Sequence, residues 1–174
     1  MQNSPIAAGK SSFDLVDLEK IMAEIGPLDG KTLLDAACGV GNYATAVAAG
    51  AGERCRVIAV DLWQEGIDQL EERLRSEKID NVFARAADIS RHIPVENGAV
   101  QVCLMATVFH DLVEDGTDRG TLLEISRVLD PNGILAVVEF KEMEGPPGPP
   151  IHIRISPANL AKSSAAVFGI CAGR

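Results

Sequence analysis

Basic side chains are scarce in this chain: 16 Lys and Arg stand against 25 Asp and Glu, for a net charge of −9. They are scattered and form no patch. That argues against nucleic acid as the main substrate, because phosphate backbones demand a basic footprint. Long apolar runs are missing as well. None has the length of a transmembrane span, and the first dozen residues lack the apolar stretch of a signal peptide, so a cytoplasmic protein without a membrane span is expected. Paired cysteines are absent: Cys38, Cys55, Cys103 and Cys171 lie far apart, with no C-x-x-C and no neighbouring His pair. This argues against a zinc site, implies no disulfide framework, and leaves no metal ligand set to expect. Cys55 and Cys103 fall in apolar runs, where a thiol behaves as a small buried hydrophobe. No internal repeat or second domain is visible. At 174 residues a single domain, 1–174, with a sizeable core is expected.

What is present is an alternation of strand-like and helix-like segments. Residues 1–11, with Pro5 and Gly9, read as a loose N-terminus. From Ser12 onward Leu15, Leu18, Met22 and Ile25 recur at helical spacing until Gly26-Pro27 stops the pattern. Thr32 to Ala36 reads as strand one, Asn42 to Ala49 as a helix closed by Gly50, and Arg56 to Asp61 as an apolar second strand. Ile67, Leu70 and Leu74 mark a helix whose other face carries Glu71, Glu72, Arg73 and Arg75. Val82 to Ala87, Ala99 to Thr107 and Ile134 to Phe140 read as strands three to five. Leu122, Ile125 and Leu129 give a helix before the last of these, followed by the turn Asp130-Pro-Asn-Gly133. Ser156-Pro-Ala-Asn-Leu160 opens a final helix within 144–174, a proline-rich loop and short C-terminal remnant. Strands with continuous apolar runs, alternating with helices, predict an α/β fold: a mostly parallel sheet of five main strands covered on both faces.

The segment Lys31-Thr-Leu-Leu-Asp-Ala-Ala-Cys-Gly-Val-Gly-Asn-Tyr43 carries the strongest chemical signal. A buried strand ending in Asp35 runs into a small-residue turn through Ala37, Cys38, Gly39 and Gly41, then into a helix. Without bulky Cβ atoms, such a turn lets a ligand press against backbone N–H groups beside a helix N-terminus. Asp35 repels a phosphate there and welcomes an amino group or a sulfonium. A rival reading exists: Gly39-x-Gly41-x-x-Ala44 also satisfies a dinucleotide fingerprint, with Asp61 about twenty residues on. Cys38 would line a ligand site without needing to react.

Acids recur at three successive strand ends: Asp35, Asp61 and Asp88. In an open parallel sheet these ends share one edge, where ligands bind. Three carboxylates there suit a ligand with an amino group, a ribose diol and an adenine amine. Each acid could instead cap the helix that follows it.

These segments together resemble class I S-adenosylmethionine-dependent methyltransferases, in the branch related to quinone biosynthesis. Asp35-x-x-x-Gly39-x-Gly41 is similar to the first family motif, with Ala37 where Gly is common. Val57-Ile-Ala-Val-Asp61 is similar to the ribose motif and Ala86-Ala-Asp88-Ile89 to the adenine motif. Met105-Ala-Thr-Val-Phe-His-Asp111 resembles the segment passing under the methyl donor. Leu122 to Leu135, with its Arg127-Val-Leu-Asp-Pro-Asn-Gly133 turn, resembles the family's helix–turn–strand signature. The resemblance covers residues 12–157. It implies a Rossmann-like, doubly wound sheet, S-adenosyl-L-methionine as cofactor and a small-molecule methyl acceptor. It further implies donor contacts from Asp35, Ala37, Cys38, Gly39, Gly41, Asp61, Leu62, Asp88, Ile89, Met105 and Ala106.

Methyl transfer from a sulfonium mostly needs alignment and exclusion of water. Where the acceptor must lose a proton, His110, directly after strand four and beside Asp111, is the candidate base; the alternative is that it packs or caps near the donor. Phe13 and Phe109 either close the apolar side of the pocket or pack in the core. His92 reads as loop surface, and His152 with Arg154 could lie over the pocket.

Two departures from the family stand out. Gln101 occupies a position early in strand four where Asp is common. The residues after the last helix are too few for the family's antiparallel strand pair, so that pair is expected to be missing or incomplete. Strand five is then an exposed edge suited to a homo-oligomer contact. The other functional classes are a donor-binding protein of little activity, a nicotinamide oxidoreductase, and an interaction module using that edge.

Overall fold

Side chains in the central strands divide by parity. Leu33, Val57, Val102 and Leu104 pack toward one face of the sheet, and Leu34, Ile58, Cys103 and Met105 toward the other, as a two-residue strand period requires. The computed structural model describes residues 11–168. Its strands are β1 (Thr32–Ala36), β2 (Arg56–Asp61), β3 (Val82–Ala86), β4 (Val100–Ala106) and β5 (Leu129–Val138). They form one parallel sheet in the order β3-β2-β1-β4-β5. The order reverses between β1 and β4, which opens a crevice beyond their carboxyl ends. This is the Rossmann-like, doubly wound arrangement expected.

Helices α1 (Leu18–Ile25), α2 (Asn42–Ala51) and α3 (Gln64–Glu77) cover the first face, through Ile25, Tyr43, Val47, Ile67 and Leu70. Helices α4 (Phe109–Glu114), α5 (Asp118–Val128) and α6 (Pro157–Phe168) cover the second, through Phe109, Leu122, Ile125 and Leu160. Fully buried side chains such as Leu70 and Ile125 each contribute about 1.5–3 kcal/mol by leaving water. No described helix is long and apolar enough to cross a membrane. Among the described residues no group of three metal-binding side chains converges.

Several boundaries differ from those the sequence pattern predicts, each for a local reason. The helix expected from Ser12 breaks: a 3-10 turn at Phe13–Leu15 is followed by extended Val16, and α1 starts only after Asp17 caps it by accepting from the Lys20 N–H. Leu15 is 57% exposed and outside the stripe. Helix α2 runs through Gly50 and ends at Gly52, whose φ of 83° closes it. The turn Asp130–Gly133 lies inside β5: Val100 pairs with Leu129 and Val102 with Ile134, so two steps along β4 face five along β5. A Cβ on Gly133 would meet the Asp130 carbonyl at 2.9 Å, which is why glycine closes that excursion. Strands three and four are a residue shorter at their ends than expected, and β5 stops at Val138. Gln101 has a use: its Oε1 accepts the Thr32 amide at 2.9 Å, satisfying the first N–H of β1.

Beyond β5 the described chain holds a proline-rich loop and α6, with no antiparallel strand pair; the rest of the C-terminal remnant, with Cys171, lies outside the described residues, as do residues 1–10. Ser11, expected in the loose N-terminus, is engaged: its Oγ accepts from the Phe13 N–H and from the Asn42 amide.

Candidate active site

A cavity of about 300 Å³ opens at the switch between β1 and β4. Its floor is the turn from β1 into α2. Three residues of that turn hold left-handed backbone: Ala37 (φ 61°), Gly39 (φ 55°) and Gly41 (φ 72°). The two glycines serve different ends. A Cβ on Gly39 would meet nothing within 4 Å, so its bare face adjoins open space, whereas one on Gly41 would meet Leu70 of α3 at 2.6 Å. Gly39 leaves room for a ligand, and Gly41 lets α3 pack close.

The turn is held from both sides. Asp61, the last residue of β2, accepts the Gly39 N–H at 2.7 Å through one oxygen and the Trp63 N–H at 2.8 Å through the other. From α3, Arg73 donates to the carbonyls of Val40 and Gly41, to Asn42 Oδ1 and to Thr45 Oγ1. Helical periodicity alone puts Arg73 on the solvent face of α3. The structure corrects this: its guanidinium knits the turn to the first turn of α2.

Asp35 sits one residue inside β1, 2% exposed, with Oδ2 buried and unpartnered. Burial raises its pKa to about 7, with the charge of Asp61 adding to the rise and the Ala44 amide opposing it. Asp88 accepts from the Ser90 amide at 2.9 Å and hydroxyl at 2.6 Å, and its other oxygen lies 3.3 Å from Arg91 Nε. None of the three acids caps a helix; the cap positions of α2 and α3 are Gly41 and Trp63.

The structure therefore brings Asp35, Ala37, Cys38, Gly39, Asp61, Leu62, Asp88, Ile89 and Ala106 to one cavity. Gly41 lies behind the turn, and Met105 is fully buried in the second core. Cys38 is buried; burial first, then Asp35 and Asp61, push its thiol pKa far up, so it remains a neutral lining group. Phe13 packs edge-on against Tyr43 with centroids 5.2 Å apart, and Phe109 is core. His92 is exposed on its loop.

His110 does not border the cavity. Its ring is 6% exposed and bonded to Glu139, while its neighbour Asp111 borders the cavity instead. His152 is exposed, and Arg154 turns away from the cavity to donate to the carbonyls of Lys141, Gly145, Pro147 and Pro149. That guanidinium folds the proline-rich loop about itself. A further group has no signal in the sequence: Ser12 Oγ lies 3.0 Å from Tyr43 Oη and accepts from Thr107 Oγ1 at 2.8 Å, tying the N-terminal segment to the end of β4. Thr107 is β-branched yet holds φ 53°, backbone strain of a kind that collects at functional sites.

Residues 33–133 match the family described as "Methyltransferase domain". A SAM-dependent methyltransferase from Aquifex aeolicus superposes with a TM-score of 0.81 at 30% identity, over 94% of this chain and 85% of that one. This chain belongs to the class I S-adenosylmethionine-dependent methyltransferase family. Demethylmenaquinone methyltransferase of Lactococcus lactis is 28% identical over 131 residues, 74% of this chain and 50% of that protein. The chain thus spans half the length of this curated relative. Geranyl diphosphate C-methyltransferase from Streptomyces coelicolor, solved with S-adenosyl-L-homocysteine, superposes at a TM-score of 0.58 with 25% identity, over 68% of this chain and 41% of that one. The family assignment leaves the dinucleotide reading of Gly39 and Gly41 without support.

Proposed function

We propose that this methyltransferase-family chain binds S-adenosylmethionine in the switch-point cavity and methylates a small-molecule acceptor. The observation that carries this reading is that Asp35, Asp61 and Asp88 all line the cavity that the bare face of Gly39 adjoins, with one Asp35 oxygen buried and unpartnered. A buried carboxylate oxygen without a partner is costly unless a ligand satisfies it. An ammonium held in the cavity beside Asp35 would favour its charged form through the low-dielectric wall. Asp61 already accepts two backbone N–H groups, yet a carboxylate offers about four lone-pair sites, which leaves room for a ribose diol. Asp88 suits the adenine amine, with Ile89 and Leu62 beside the ring. The donor supplies an electrophilic methyl group on a cationic sulfur that departs as a neutral thioether. The chain's part is to orient the acceptor and keep water out.

Among the described residues, every charged side chain bordering the cavity is an acid, namely Asp35, Asp61, Asp88, Asp111, Glu114 and Asp115. This favours an uncharged or cationic acceptor, such as a quinol or an amine, over a phosphate ester. A cytoplasmic setting, no role for nucleic acid and self-association along β5 belong to the same reading, supported by the net charge of −9, the free buried thiols among the described residues and the edge position of β5.

Calorimetric titration tests the proposal. S-adenosylmethionine should bind saturably, and Asp61→Ala should weaken it about ten- to a hundredfold, the range for losing hydrogen bonds to a charged group. NADH binding in place of the sulfonium donor would overturn it.

A further inference from the structure

Glu139, the first residue beyond β5, and His110 on α4 form a pair that the donor contacts do not use. The two Glu139 oxygens lie 3.1 and 2.9 Å from His110 Nδ1, and Oε1 also accepts the His110 amide N–H at 3.1 Å. Both side chains are more than nine-tenths buried. A hydrophobic pair would fill this space without desolvating two polar groups. What the polar pair adds is a fixed ring orientation. The ring's other nitrogen, Nε2, lies 3.5 Å from Asp111 Oδ1. Asp111 is about a third exposed and borders the cavity beside Val108 and Leu112. Carboxylate, imidazole and carboxylate therefore run in file from the core to the cavity wall.

The charges around this file are mutually consistent. Burial lowers the His110 pKa, but Glu139, by hydrogen bond and charge, together with Asp111 and Glu114, raises it overall above its ordinary value. Asp111 is raised by burial and by Glu139, Asp115 and Glu114, with His110 opposing. Phe140 lies edge-on to the imidazole, with centroids 5.9 Å apart. A carboxylate raised above its ordinary value, at the cavity wall and beside a ring that favours its charge, is a better proton acceptor than an unperturbed one.

We infer that Asp111, rather than His110, takes the proton from the methyl acceptor, and that His110 and Glu139 are positioning residues that aim it. The inference rests on the methyltransferase reading above. In the step, the acceptor's X–H bond breaks, X being oxygen, nitrogen or an activated carbon, and the proton passes to the Asp111 carboxylate. The electron pair on X forms the X–CH3 bond, and the pair of the breaking S–CH3 bond stays on sulfur. Nothing is oxidised or reduced.

The His110 ring reports on this arrangement without any acceptor. In 15N-labelled protein, Asp111→Asn and Glu139→Gln should each lower the His110 titration midpoint, since each removes a carboxylate from the ring. Calorimetry should find donor affinity unchanged in D111N. With S-adenosylmethionine and either catechol or a short-chain demethylmenaquinol, D111N should lose about a hundredfold or more in kcat and the acidic limb of its pH–rate profile. His110→Asn should lose less and displace that limb. If Glu139→Gln fails to fold, Glu139→Asp takes its place in the ring titration, and D111N, altering a cavity-wall residue, stands independently. A His110 midpoint that D111N leaves unmoved, or a D111N enzyme with the wild-type pH profile, overturns the inference. Without turnover on either acceptor, the ring titration decides. Wild-type protein that binds no donor overturns the proposed function instead, so the two failures are distinct.

Discussion

At the β1–α2 end of the cavity the ligand surface is main chain, bent into left-handed conformations and held by Asp61 on one side and Arg73 on the other. At the α4 end it is side chain, backed by the buried His110–Glu139 pair. The first end must present N–H groups and bare Cα atoms to a ligand of fixed shape, and a backbone cradle does that without flexible parts. In the mechanism proposed above, the second meets an acceptor whose proton has to move, and titratable groups there would serve it. One cavity thus combines a wall of main chain with a wall of side chains.

The sharpest way to break this contrast is Asp35→Asn. Asp35 has a folded pKa of about 7 against an ordinary value of 3.8, so the folded state holds a proton that the unfolded chain releases between these values. Stability from this group is full below about pH 4 and is lost as pH rises through 7. The amide variant carries no such penalty. It should match wild type in acid and exceed it above pH 8 by a few kcal/mol, at about 1.4 kcal/mol for each tenfold change in proton affinity, while losing donor affinity. Melting curves across pH check this, and an unchanged slope between pH 4 and 7 would remove Asp35 from the account. His110, also raised, should lose its contribution in a different window, above 6.5, which His110→Asn should flatten while leaving the Asp35 window intact.

Arg73→Ala comes next. It frees two backbone carbonyls and two side-chain oxygens at the main-chain end, at a cost of about 2 kcal/mol in urea unfolding. Donor affinity should fall while the His110 titration stays where it is, because the pair at the other end does not touch Arg73. Arg73→Lys should recover little, since one ammonium cannot span the fork of acceptors. The smallest effect is Ala37→Gly. Ala37 holds φ 61°, a conformation costing about 1–2 kcal/mol for a residue with a Cβ, and glycine offsets part of that gain through greater freedom when unfolded. A net stabilisation of up to about 1 kcal/mol in urea unfolding is expected.

How much is readable in the sequence follows the same division. The β1–α2 turn, the acids at 35, 61 and 88, and the parallel sheet each show in short local patterns, where neighbouring residues decide the chemistry. The groups that hold the turn and the α4 end do not. Arg73 lies 31 residues from Asn42 in the chain and Thr107 lies 95 from Ser12. Arg73 flanks the apolar stripe between Leu70 and Leu74, and only the packing of α3 on α2 distinguishes that flank from a solvent face. The one hint is the pair of polar acceptors, Asn42 and Thr45, opening an otherwise alanine-rich helix. His110 stands out in the sequence because it follows β4 directly, but helix α4 turns its ring inward to Glu139, 29 residues away, and presents Asp111 to the cavity. The early break at Val16 is equally hidden, because Leu15 completes a helical stripe that Asp17 then restarts.

The margin of the sheet along β5 carries its own consequence. An approaching strand needs an unbroken row of amide and carbonyl groups to dock against, and β5 interrupts that row with Pro131, which has no N–H to offer, and with the loop-out that Gly133 closes. Among the described residues, the uninterrupted part of that margin is the stretch from Ile134 to Val138. The same excursion that lengthens β5 thus shortens the margin on which a second strand could pair, and would limit the self-association proposed above to a short register.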